Sequence, residues 1–82
     1  MTRVKVNGEF GEWLFKKMGE SNIAVYRLAE ELRISPRIIY RHLKGECNPT
    51  LPYVIAYCWW FNERLSKTID PMDIFYNFVE RS

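Results

Sequence analysis

A chain of 82 residues holds a single domain. Folding at this size buries only about 60% of the unfolded surface, so the 48% hydrophobic and 16% aromatic content reads as one aromatic-rich core. The longest apolar run, Tyr53 to Phe61, falls well short of the ~20 residues of a membrane helix, and no apolar leader opens the chain, so a cytoplasmic binding domain is expected.

Taken in chain order, residues 1–8 alternate Val4 and Val6 with Arg3 and Lys5, which fits a short strand, a cationic arm or a frayed end. Phe10, Trp13, Leu14 and Met18 then place an apolar stripe on a first helix that ends between Gly19 and Asn22. A second helix follows, with Val25, Leu28, Ala29 and Leu32 on one face. A third starts at Ser35-Pro36, an N-cap followed by a residue with no N–H to satisfy, and stops at Gly45. Past Pro49, Leu51, Val54, Ile55, Cys58 and Phe61 predict a fourth helix with one continuous buried face. Asp70-Pro71-Met72-Asp73 has the form of a helix start, and a fifth helix is predicted through Val79.

The segment Val25 to Gly45 carries the functional signal. Two helices joined by the three residues Arg33-Ile34-Ser35 fit a helix-turn-helix that enters a DNA groove. If Ile39 and Leu43 point inward with His42 beside them, then Arg37, Tyr40, Arg41 and Lys44 share the outer surface. From Arg33 to Lys44 there are four cations and no anion, in a chain of net charge only +2. Fixed cations displace condensed counterions from phosphate, and Arg can bind guanine edges through two hydrogen bonds. A solvated basic face is the competing reading, and the turn in front of the helix favours the groove.

These residues resemble the Cro/CI-like, or Xre-type, helix-turn-helix family of phage and bacterial repressors. The match runs through Leu28-Ala29, Leu32, Ile34-Ser35, Ile39, His42-Leu43-Lys44-Gly45, Pro49, Leu51, Ile55 and Ala56, within a region from about Phe10 to Phe61. The resemblance implies an all-α, five-helix lambda-repressor-like domain and a sequence-specific transcriptional regulator of double-stranded DNA, from a phage or mobile element. By the same resemblance Ser35, Pro36, Arg37, Tyr40 and Arg41 face bases, and the phosphate contacts fall near Val25 and Lys44. Ala24 and Val25 are apolar where the family offers a polar side chain, so any grip there comes from backbone amides. Arg33 replaces a small residue, often Gly, so the turn is either left-handed and slightly strained or built differently. Pro36 removes a polar base reader, which shifts the reading onto Arg37, Tyr40 and Arg41.

The C-terminal part, residues 62–82 with the end of the fourth helix, is where self-association is expected. Trp59 and Trp60 lie about 100° apart on a helix, so one small core is not expected to bury both. With Tyr57, Phe75, Phe78 and Val79 they offer more aromatic surface than a small monomer needs, and Trp59, Trp60, Phe75 and Phe78 are the expected homodimer contacts. A fifth helix that folds back over them is the simpler alternative. A two-fold dimer presents two recognition helices to half-sites ~34–36 Å apart.

No catalytic role is expected. The sequence has no Gly-rich phosphate loop and no nucleophile-base arrangement, and Cys47, Cys58 and His42 lack metal-ligand spacing, so neither metal nor cofactor is implied. Cys58 reads as a core residue, Cys47 as a loop thiol and His42 as a packed residue at the base of the third helix. The serious alternative is a protein-interaction module, such as an antitoxin or antirepressor, that works through its aromatic C-terminal helices.

Overall fold

Apolar side chains recurring every three or four residues generate the helices found between residues 9 and 80. The computed structural model describes residues 8–80, with side chains through Val79, so the possible arm at residues 1–8 lies outside the described residues except for Gly8. Among these, the elements are α1 (Glu9–Ser21), α2 (Val25–Leu32), α3 (Pro36–Lys44), α4 (Leu51–Leu65) and α5 (Pro71–Ile74), which runs on as π-helical turns (Phe75–Glu80); there is no strand. No helix among the described residues is long and apolar enough to cross a membrane.

The helix ends follow local chemistry. Ser35 Oγ accepts from the Arg37 amide at 3.2 Å and Asp70 Oδ1 from the Met72 amide at 3.0 Å, each just ahead of a proline in the first turn. Four helices stop at a left-handed residue, but only α3 uses glycine there (Gly45, φ 73°); Asn22, Arg33 and Ser66 take φ of 54°, 58° and 53°. At Arg33 this decides between the two turn geometries considered above. The turn is left-handed and carries the strain of a Cβ. The Arg33 cation sits at the negative end of α2, which offsets part of that cost. Replacing Arg33 by Gly is expected to raise stability by about 0.5–1 kcal/mol, read as a higher unfolding midpoint. A lower midpoint would show that the side chain contributes more than the backbone loses.

One core joins all the elements: Phe10, Leu14 and Met18 of α1, Leu28 and Ala29 of α2, Ile39 and Leu43 of α3, Val54, Tyr57, Cys58 and Phe61 of α4, and Ile74 and Val79 beyond them. Ile55 departs from the predicted inner face of α4, being 46% exposed, whereas Tyr57 is fully buried. The reason is that α4 is apolar almost all round, so periodicity does not single out its inner stripe. Packing selects Val54, Tyr57, Cys58 and Phe61, which recur at three, one and three residues. The predicted fifth helix exists but widens after Ile74. Residues five apart diverge by about 140° on an α-helix, whereas i→i+5 turns bring them onto one face. Ile74 and Val79 are five apart and both buried.

Asn62 sets where the C-terminal helix begins. Its side-chain amide accepts from the Ile69 N–H at 2.7 Å and donates to the Ile69 carbonyl at 3.0 Å, satisfying both backbone groups in the segment between α4 and α5. Glu20 adds a surface tie, pairing with Lys17 at 3.1 Å and Lys67 at 3.6 Å.

Candidate nucleic-acid interface

Helix α3 is seated by its inward residues. Ile39 and Leu43 are fully buried, and His42 is 3% exposed. His42 Nδ1 lies 2.8 Å from the Tyr57 hydroxyl of α4; the hydroxyl donates when the ring proton is on Nε2, and the ring N–H donates when it is on Nδ1. Phe10, Tyr53 and Tyr57 surround the imidazole with ring centroids 5.2–6.3 Å away. Burial pushes the His42 pKa down to about 4, so the ring is neutral near pH 7. The same burial drives Tyr57 well above the usual phenol range and Cys58 up to about 12, leaving both protonated.

Gly11 fixes how closely α1 approaches α3. A Cβ at this position would collide with the Leu43 carbonyl oxygen and would lie 3.1 Å from the Leu43 carbonyl carbon and 3.2 Å from the His42 oxygen. The glycine therefore lets two helix backbones touch. Sequence inspection gave no reason to select it, because its partner lies more than thirty residues away.

With its inner face committed, α3 turns Arg37, Arg41 and Lys44 outward, all exposed, with Tyr40 half-buried on their flank. Ser35 is exposed at the N-terminus and Pro36 is half-buried, so the five residues expected to face bases do lie together along one helix and its cap. Among the described residues, ion pairs engage Lys17, Glu20, Arg27, Glu31 and Lys67, and none engages Arg33, Arg37, Arg41 or Lys44. Arg41 and Lys44 occupy the last turn, where a cation gains from the helix dipole. Arg37 has the opposite placement, in the first turn at the positive end of the helix dipole, where a positive charge costs rather than stabilises. Folding does not account for it.

The neighbouring helix contributes two features. The Val25 side chain is 8% exposed and belongs to the core, so only its backbone can meet a partner; Ala24 caps α2 without a side-chain hydrogen bond. Tyr26, which the sequence reading passed over, is 69% exposed and stands edge-on to Tyr40, with centroids 6.4 Å apart at 74°. Its signal was available as a large aromatic on the charged face of α2.

The expected dimer contacts separate. Trp59 is 61% exposed, while Trp60 is 5% exposed, its Nε1–H donating to Glu31 Oε1 at 3.4 Å and its face covered by the Arg64 guanidinium at 4.8 Å. Trp60 is thus committed within the chain and offers no free face to a partner. Phe75 and Phe78 are half-buried against the core. On α4 and the C-terminal helix, the aromatic surface that remains open belongs to Trp59, with Ile55 beside it, and to Tyr76, with Met72.

Comparison of the chain with protein-family models, with curated proteins and with solved structures finds no match in any of the three. The functional reading therefore rests on the geometry of this molecule.

Proposed function

We propose that the chain is a sequence-specific double-stranded DNA-binding regulator, repressor-like in action, that lays α3 in the major groove of an operator. The observation that carries this reading is the row Arg37, Arg41 and Lys44: exposed, unpaired among the described residues, and including one cation placed against its helix dipole. The five-helix order with a left-handed turn between α2 and α3 supports a lambda-repressor-like arrangement. In this reading Arg37 and Arg41 meet base edges, Ser35 and Tyr40 meet bases or sugar-phosphate, and Lys44 and the amides near Val25 hold phosphate. The Ser35 hydroxyl oxygen accepts from the Arg37 amide, and its own hydrogen stays free to donate.

Selection from a randomised duplex pool at low and near-physiological salt tests the reading. A palindromic motif with half-sites about one helical turn apart is the expected result; no enriched motif would overturn it. On the selected site, Arg37→Ala should relax sequence preference and cost about 1–3 kcal/mol of binding. Lys44→Ala should weaken all sequences alike and flatten the salt dependence by roughly one unit of slope. An unchanged slope would remove Lys44 from the phosphate contacts.

A second reading is favoured by the open apolar residues of α4 and the C-terminal helix. Trp59 lines a shallow cleft of about 470 Å³ with Glu31, Trp60, Glu63 and Arg64, and Ile55 stands one turn before it. For a DNA-binding dimer this surface is the place for the second copy. In an antitoxin or antirepressor it would hold another protein. Arg37→Ala with Arg41→Ala separates the two, since the double variant loses DNA and keeps a protein partner.

A further inference from the structure

We infer that Tyr40, held edge-on by Tyr26, distinguishes bases by the C5-methyl group of a pyrimidine, an inference that rests on the DNA reading above. Tyr40 lies on the flank of α3 that faces α2, three residues after Arg37 and four before Lys44, and is only half-buried. Tyr26 comes from the first turn of α2 and packs its ring against Tyr40 at 74°. It remains 69% exposed, so it buries little of itself; what it achieves is to restrict the Tyr40 ring.

The dimensions of the groove decide what that ring meets. A helix with its side chains is about 10–12 Å across and a major groove about 12 Å wide, so α3 alone fills it and its flanks lie at the margins. At the margin of the base edge, beside the backbone of its own strand, sits the pyrimidine C5 atom. Thymine carries a methyl group there and cytosine a hydrogen. An aromatic ring on the helix flank thus reaches the methyl, while Arg37 and Arg41, nearer the centre of the outer face, address hydrogen-bonding edges. Pro36, which has no polar side chain to offer, leaves this apolar contact a larger share of the discrimination. The recognised group is shared by thymine and 5-methylcytosine.

The test uses the full chain and the duplex from the selection above. Each thymine is replaced singly by deoxyuridine, which deletes the methyl and keeps every hydrogen-bonding group. The expected result is a loss of roughly three- to fivefold at one position per half-site, with the salt slope unchanged because no charge is involved. That loss should vanish in Tyr40→Ala and shrink in Tyr26→Ala. Cytosine placed at the same position should bind better once it carries the 5-methyl group. The inference is overturned if no uracil substitution matters to the parent protein, if the loss is the same in Tyr40→Ala, or if 5-methylcytosine gains nothing over cytosine. Failure to recover any motif would instead remove the DNA reading itself, a result distinct from a motif bound equally well with and without its methyl groups.

Discussion

Gly11→Ala is expected to lower the midpoint of thermal unfolding by about 8–16 °C, a large effect for one methyl group. A helical Gly→Ala change ordinarily stabilises by roughly 0.5–1 kcal/mol, because it removes backbone freedom from the unfolded chain. At this position the new Cβ meets the carbonyl of Leu43 and the oxygen of His42, both backbone, so no side chain can rotate away. One helix must move, and overpacking of this kind costs about 1–3 kcal/mol or more. A net loss of about 2 kcal/mol converts to roughly 8–16 °C in a domain this small. Gly19 supplies the internal control. It lies on the same helix with nothing within 4 Å of its would-be Cβ, so Gly19→Ala should raise the midpoint. Equal shifts for the two variants would refute the close approach of α1 and α3.

Acid should destabilise the fold as the pH falls from about 6.5 to about 4. His42 binds a proton at about pH 6.5 when unfolded and only at about pH 4 when buried against Phe10, Tyr53 and Tyr57. Across that window the unfolded chain holds more protons than the folded one, so stability falls as pH falls. The shift corresponds to about 3 kcal/mol, fully present above pH 6.5 and gone by about pH 4. Glu20, held below its usual value by its hydrogen bond to Lys17, also favours the folded state, but loses that contribution only below its ordinary value of 4.5. The interval from 4.5 to 6.5 therefore belongs to His42, the single histidine of the chain. Denaturant titrations at pH 7, 6, 5 and 4.5 should show this slope in the parent and lose it in His42→Gln, whose side chain still bonds but does not ionise. A slope that persists in His42→Gln would place the acid sensitivity elsewhere.

Most of the element order was legible because punctuation and periodicity agree in α1 to α3. Ser35-Pro36, Gly45 and Asp70-Pro71 mark boundaries that the structure reproduces, and the inward set Ile39, His42 and Leu43 follows from helical spacing alone. Legibility failed where one helix offers too many apolar choices. On α4, Ile55 and Tyr57 exchanged their expected roles, and of the adjacent tryptophans only Trp60 found a partner in Glu31. It failed also where two distant residues act as a pair. Gly11 against Leu43 and Tyr26 against Tyr40 are relations between helices, and a one-dimensional pattern has no period that encodes them. The basic outer row could be read because charge and spacing are both local.

The seat of α3 extends outside the two-helix unit that would touch DNA. Residues 25–45 look like a portable cassette, yet the height at which α3 rides is set by a glycine of α1, and its roll by a tyrosine of α4. Grafted into another helical scaffold, the same twenty-one residues would keep their side chains and lose their aim unless the host supplied a bare backbone and a buried hydroxyl in matching places. Exchange of this helix pair between helical scaffolds is thus governed by the host's framework as much as by the transplanted surface.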